Sequence, residues 1–397
     1  NHGDEVTRLP KGWRNIGSTP QCTHAFFGDG RNFGALFHPE MDHTAGGEKL
    51  LSHFLFALAG CNPDYTFAPE RFISESSRFM KDLVGEEKIL AAVSGGVDST
   101  CAWALARLAL GKESVEAFFV DNGFMREGEA EKVRKLFNDP FFRIVNAQEL
   151  FWQAIENVPY TGPGDEPFYF DTIRKVIGET FIEVFSGAVV GKYLHQSLRF
   201  LLQGTNNSDI VESETGLKRH HNVGGLPFDV KFHILEILAG LYKFDIRQLA
   251  EYLGLPHEVV WAQPFPGPGF SIRMWGKVTR EKVGAVAKTN RILEEVIHRH
   301  YPNQHLKPSQ YYVALMPLFT TGHIGDKKAE GWIWDIRAVS SNRRESYTTV
   351  DSFEFPKAMR RELNWRLLSE IAMDDGTRFV RVVYDDTTKP PSTVEPH

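Results

Sequence analysis

Ser94-Gly95-Gly96-Val97-Asp98-Ser99 brings two glycines, two hydroxyls and a carboxylate together between the apolar run Ile89 to Val93 and the amphipathic run Thr100 to Leu110. If the first run is a strand and the second a helix, the hexapeptide lies at the carboxyl edge of a sheet and opens a helix. Glycine lets the backbone approach an anion closely, and a helix amino terminus presents unpaired N–H groups and a positive dipole end. Ser94, Ser99 and Thr100 add hydroxyl donors. A phosphate fits such a loop; the alternative is a tight strand-to-helix turn with a serine cap. For a phosphate reading, Asp98 in the middle of the anion-binding turn would repel phosphate unless a divalent cation bridges the two, which implies Mg²⁺. No G-x-x-x-x-G-K-[ST] occurs in the chain, so a γ-phosphate cradle of that type is not expected.

Other residue types suit the same chemistry. Lys243 and Lys218 are candidates for placing positive charge on phosphates, although both could be solvated surface lysines. Asp121, directly after the apolar run Val115 to Val120, could shape a nucleotide pocket, and Gly204-Thr205 follows another possible strand, Arg199 to Leu202. The pair His220-His221 invites a metal reading. Adjacent histidines on an extended chain point to opposite faces, so one ion would not take both.

The hexapeptide resembles the signature of the ATP pyrophosphatase group, which cleaves ATP between its α- and β-phosphates and adenylates a substrate oxygen. Within that group the GMP synthase family matches further stretches in order. These are Val120-Asp121-Asn122-Gly123-Phe124-Met125-Arg126, Gln203-Gly204-Thr205, and His220-His221-Asn222-Val223-Gly224-Gly225-Leu226-Pro227. Then come Pro264-Phe265-Pro266-Gly267-Pro268-Gly269 with Ile272-Arg273, and Val382-Val383-Tyr384-Asp385 leading to Lys389 and Glu395. The resemblance implies ATP-dependent amination of xanthosine 5′-monophosphate to GMP through an adenylated intermediate, releasing AMP and pyrophosphate. It implies ATP and pyrophosphate held by Ser94, Gly95, Gly96, Val97, Asp98, Ser99, Asp121, Gly204 and Thr205. Asp98 would be the metal ligand, and Asp98 and Lys243 catalytic residues. The acceptor nucleotide would be held by Lys218, His221, Arg273, Lys389 and Glu395.

The first segment resembles the end of a class I glutamine amidotransferase domain through His2-Gly3-Asp4 and Phe37-His38-Pro39-Glu40. There His38 would be the general base and Glu40 its orienting acid in a Cys-His-Glu triad supplying ammonia from glutamine. None of Cys22, Cys61 and Cys101 sits in a G-x-C-x-G elbow. We therefore expect the sequence to be part of a longer chain; the alternative is use of external ammonia.

Two stretches depart from the family pattern. Asn206-Asn207-Ser208-Asp209 stands where a hydrophobic-Tyr-Pro-Asp run is expected, and Lys327-Lys328-Ala329-Glu330 where Arg and Tyr are expected. They leave room for a diverged relative that adenylates and aminates another purine-like acceptor. A non-catalytic nucleotide-binding scaffold is the third reading, which Asp98 argues against.

These residues need a particular frame. Strand-like runs at Ile89 to Val93, Val115 to Val120 and Phe142 to Val145 alternate with helical ones at Thr100 to Leu110 and Glu127 to Phe137. That alternation predicts an α/β domain on a parallel sheet, with ligands at the carboxyl ends of the strands. Pro159 to Pro167 reads as a surface loop or a mobile lid before a helix from Asp171 to Phe185. Beyond Gly269 a helix from Arg280 to Arg299, strands at Tyr311 to Leu318 and Trp332 to Val339, a helix from Pro356 to Ile371 and a strand at Val380 to Tyr384 predict an α+β module. The resemblance makes that module a dimerisation domain and the protein a homodimer. The expected divisions are 1–62 for the amidotransferase fragment, with a helix from Gly47 to Leu58, 67–275 for the ATP pyrophosphatase domain and 276–397 for the α+β domain.

Bulk properties agree. A chain of 397 residues exceeds what one core usually supports. A net charge of -6 gives no general attraction for nucleic acid or anionic membranes, so neither is an expected partner. Three scattered cysteines make no disulfide framework, and a cytoplasmic setting is expected.

Overall fold

The computed structural model describes residues 5–40, 44–64, 66–193, 199–214, 233–324, 326–340, 351–388 and 395–396. The chain divides near Phe67 into two compact units. In the first, β1 (Arg14–Thr19), β2 (Cys22–Gly28) and β3 (Phe33–Ala35) form an antiparallel meander. The helix expected from Gly47 to Leu58 is α1 (Gly47–Ser52), continued by wider π-type turns over His53–Leu58.

The second unit opens with α2 (Pro69–Val84), followed by β4 (Ile89–Ala92), α3 (Val97–Leu110), β5 (Val115–Asp121), α4 (Glu129–Leu136), β6 (Phe142–Asn146), α5 (Gln148–Glu156) and α6 (Glu166–Tyr193). Then come β7 (Phe200–Leu202), α7 (Asn207–Glu214), β8 (His233–Leu235), α8 (Lys243–Tyr252) and α9 (His257–Val260). Their five strands form one parallel sheet in the order β6-β5-β4-β7-β8. Nearly every residue of β4 and β5 is buried, as strands covered on both faces require. The chain runs outward from β4 through β5 to β6, then returns to place β7 on β4's other side. The crevice between β4 and β7 is thus the point where strand order reverses.

Several boundaries differ from the sequence expectation for identifiable reasons. α6 begins at Glu166, not Asp171, because Pro167 sits in its first turn, where a missing N–H costs nothing. The preceding loop is an ordered lead-in: the Glu166 carboxylate accepts from Tyr160 Oη at 2.7 Å and from the Gly164 N–H at 2.7 Å. α7 has no apolar period to announce it. It is started by Asn206, whose Oδ1 accepts from the Asp209 N–H while Asp209 Oδ2 accepts from the Asn206 N–H, each at 3.2 Å. The first departure from the family pattern is therefore a helix cap.

The last segment holds α10 (Arg280–His300), β9 (Gln310–Ile324), β10 (Lys327–Ser340), β11 (Asp351–Ser352), α11 (Lys357–Ser369) and β12 (Arg378–Asp385). β10 is central, antiparallel to β9 and β11 and parallel to β12. One face of the sheet, with Tyr311, Val313, Leu315, Trp334, Ile336 and Ala338, joins the core formed with α10 and α11. β9 and β10 outrun their expected ends because their shared tip is exposed and needs no apolar alternation. The second departure, Lys327 to Glu330, lies on that tip.

Candidate active site

The sequence places Gly96 at the amino end of α3 without a side-chain cap, so the first amides of the helix stay available. Gly95 has φ +80°, a conformation open to glycine at low cost, and any Cβ there would meet Val133 at 2.7 Å. Ser99 closes the loop: its Oγ accepts from the Ser94 N–H at 3.1 Å and lies 3.1 Å from Ser94 Oγ. The result is a concave turn lined by amides and hydroxyls over a helix amino terminus.

Residues distant in sequence complete it. Gly204, just past β7, lies against the loop so closely that a Cβ would stand 2.6 Å from Ser99 N and 2.8 Å from Ser99 Cα. Thr205 Oγ1 donates to Glu236 Oε1 at 2.8 Å, and the Gln203 N–H donates to Leu235 O at 2.9 Å, binding the ends of β7 and β8 together. From the first turn of α8, Lys243 Nζ donates to Asp98 Oδ2. Asp98 Oδ1 is buried without a hydrogen-bond partner. Thus two residues far apart in sequence, Asp98 and Lys243, meet as an ion pair beside the loop.

Asp121 stands differently. Its Oδ1 accepts from the Gly123 N–H at 3.1 Å and its Oδ2 from Gln148 Nε2 at 2.8 Å, so its carboxylate braces a turn. That turn is stitched to the proline-glycine segment: Asn122 Nδ2 donates to Gly267 O at 3.2 Å and the Phe270 N–H donates to Phe124 O at 2.8 Å. Gly269, at φ +63°, must be glycine, since a Cβ would fall 2.2 Å from Phe124 O.

A cleft of about 1340 Å³ opens beside the loop. Ser94, Asp98 and Gly204 form its polar end, and Phe118, Phe181 and Phe265 part of its apolar wall. α6 supplies a long side of it, including Lys175 and Thr172. Sequence reading missed this wall because nothing local ties a helix to a loop more than sixty residues away.

Of the expected acceptor residues, Lys218, His221 and Lys389 lie outside the described residues. Arg273 and Glu395 do meet. Arg273 Nε and Nη2 donate to the two carboxylate oxygens of Glu395 at 3.0 and 2.7 Å, a bidentate pair. The Arg273 guanidinium, 4% exposed, lies 5.3 Å from the Phe265 ring centre and 5.1 Å from that of Tyr312. Both aromatics were missed; alternation along β9 could have put Tyr312 opposite the apolar face.

Beside them Asp335 is buried, and its carboxyl is pushed up to about 6 by desolvation and by Asp385, with Arg337 opposing. Unfolded, it releases its proton near 4. Between about pH 4 and 6 the folded state therefore binds the extra proton, and this contribution to stability falls as pH rises, levelling above about 6. Asp335→Asn removes that loss, so the variant should gain on wild type by up to about 3 kcal/mol between pH 4 and 7. Urea melts at both pH values measure it. Parallel curves for the two proteins would refute the effect; among the described residues Asp385, Arg337 and Tyr312 interact electrostatically with Asp335.

In the first unit, His38 Nδ1 lies 2.8 Å from Glu40 Oε1, the arrangement an orienting acid requires. Desolvation raises the Glu40 carboxyl, but its own backbone N–H and His38 outweigh this and hold it below the usual range. Gly47 allows Pro39 O to approach within 2.0 Å of where a Cβ would stand. Cys22 opens β2 in a hairpin, its N–H donating to Thr19 Oγ1 at 3.0 Å, and is no strand-to-helix elbow.

Comparison with known proteins bears on this arrangement. A family model described as the GMP synthase C terminal domain matches residues 295–396. The chain is 38% identical over 403 residues to the glutamine-hydrolysing GMP synthase of Geobacillus kaustophilus, covering 99% of this chain and 74% of that protein. The GMP synthase of Clostridium novyi is also 38% identical, with the same coverage. Among solved structures, the NH3-dependent NAD synthetase of Campylobacter jejuni covers 59% of this chain and 88% of its own, at 16% identity and a TM-score of 0.37. The NMN synthetase of Francisella tularensis gives 15% identity and a TM-score of 0.38, covering 55% of this chain and 85% of its own. Likenesses that remote say nothing about chemistry. The sequence relatives do, and by them the chain belongs to the GMP synthase family.

Proposed function

We propose that this chain aminates xanthosine 5′-monophosphate to GMP, using ATP to adenylate the C2 oxygen and ammonia to displace AMP. The observation that carries it is the Asp98–Lys243 pair beside the amide-lined loop at the β4/β7 crevice. A carbonyl oxygen is a poor leaving group and AMP a good one, so the residues must orient the α-phosphate toward the acceptor and hold the departing pyrophosphate. The loop amides with Ser94 and Ser99 hold pyrophosphate, and Lys243 stands where its ammonium can pass from Asp98 to a phosphate oxygen.

Mg²⁺ fits this site. Asp98 Oδ1 is buried without a partner, and Mg²⁺ is commonly held by one or two carboxylates together with substrate phosphates. When bound it neutralises charge on the phosphates. Arg273 and Glu395 receive the acceptor nucleotide by exchanging their mutual pair for its anionic and N–H groups, and Lys218, His221 and Lys389 complete that site. His38 and Glu40 belong to the amidotransferase part, within 1–62; 67–275 carries the ATP chemistry and 276–397 pairs two copies as a homodimer. The free thiols of Cys22, Cys61 and Cys101 suit the cytoplasm.

Neither departure from the family pattern supports a different acceptor, since one is a helix cap and the other an exposed hairpin tip. Incubation with ATP, Mg²⁺, ammonium and xanthosine monophosphate tests the reading. We expect equal yields of AMP, pyrophosphate and GMP, and none after chelation of Mg²⁺. AMP formed only with another acceptor would overturn the substrate, and no AMP under any condition would overturn the reaction. Glutamine in place of ammonium should give no GMP with the 397-residue chain, because no cysteine has a nucleophile's setting.

A further inference from the structure

Arg337 is 1% exposed near the carboxyl end of β10, yet only part of its guanidinium is used. Nη1 donates to Asp385 Oδ2, while Nε and Nη2 are buried without a partner. Asp335, two residues along on the same face, does not satisfy them, and its own Oδ1 is also unpartnered. Buried donors left open on a guanidinium are unfavourable, and folded chains keep few of them. Such a cost persists where a ligand removes it.

The surroundings say which ligand. Arg337 pairs in register with Tyr312 on one side and Asp385 on the other, on the sheet face away from α10 and α11. The Tyr312 ring in turn packs 5.1 Å from the Arg273 guanidinium, which holds Glu395. A continuous polar strip therefore runs from Asp385 through Arg337 and Tyr312 to Arg273 and Glu395. Asp385 also ends the strand from which the chain proceeds to Lys389 and Glu395. We infer that the open N–H fork of Arg337 is a phosphate-binding element of the acceptor-nucleotide site. The guanidinium fork matches two phosphate oxygens, and the single bond to Asp385 fixes its plane while leaving the other edge free. Asp335 opposes an arriving anion, so it tunes this subsite toward weaker binding.

The inference rests on the proposed acceptor, and the test separates the two. Initial rates are measured for the full chain with xanthosine monophosphate and with xanthosine, which lacks the phosphate. Wild type should prefer the nucleotide. Arg337→Met should raise KM for the nucleotide about 10- to 100-fold, the usual range for a charge-assisted pair of hydrogen bonds. KM for xanthosine and for ATP should stay unchanged, so the preference collapses. Arg337→Lys, which keeps the charge beside Asp385 but not the fork, should lie between, and it decides the matter if the methionine variant does not fold. Asp335→Asn should lower KM for the nucleotide. A preference that survives in both Arg337 variants overturns the inference while the proposed function stands. A wild-type enzyme that uses neither acceptor overturns the function itself.

Discussion

Asp98→Asn should reduce release of AMP and pyrophosphate by at least about 10²- to 10³-fold, the scale on which removal of one fixed charge from a transition-state site is felt. The substitution preserves shape, so the β4–α3 turn can persist. Two functions disappear together: the buried Oδ1 no longer carries charge for a cation, and Lys243 loses the carboxylate that aims it. Stability should change little, because a carboxylate in the first turn of a helix contributes only about 0.3–1 kcal/mol through the helix dipole. The expected signature is therefore a near-normal melting temperature with almost no AMP formed. Activity within about tenfold of wild type would mean that Asp98 acts only as a turn residue.

Gly204→Ala should be nearly as damaging by a different route. The added methyl group would sit 2.6 Å from Ser99 N and 2.9 Å from Asp98 C, and both are backbone atoms of the Ser94–Ser99 turn. Backbone at the head of a buried helix cannot swing aside as a side-chain tip can. Either β7's end or the loop must shift, and a displacement near 1 Å in a positioning element costs about 10²-fold in rate. Overpacking of this kind also costs about 1–3 kcal/mol of stability. Gly284→Ala in α10 is the matched control: a Cβ there meets nothing within 4 Å, and removing an interior helical glycine should add about 0.5–1 kcal/mol. AMP formation and thermal melts on both variants read the contrast. A fully active Gly204→Ala enzyme would show that the loop tolerates displacement.

Local spacing carried much of this molecule. Ile89 to Ala92 and, apart from Glu116 and Asp121, Val115 to Asp121 are apolar because both faces of their sheet are covered, and that pattern is visible in any short window of sequence. Two glycines, an aspartate and serines directly after such a strand likewise specify a tight turn into a helix whose first amides stay uncapped, since every atom involved lies within a few residues. α7 escaped notice for the converse reason: a capping pair, Asn206 with Asp209, starts it without an apolar stripe.

The pairings that make a site lay beyond local pattern. Lys243 belongs with Asp98, and Arg273 with Glu395, only because the sheet order puts β7 and β8 beside β4 and because the chain's end returns to the proline-glycine segment. Asp121, at the end of β5, is tied to Gly123 and, across to α5, to Gln148. Arg337 looks in sequence like one charge within a strand; burial against Tyr312 and Asp385 is what leaves its donors open. Residue type and short spacing express chemistry that acts over a few ångströms along the chain. Contact between distant segments, and the desolvation that gives a buried charge its energy, exist only once the core has closed around them.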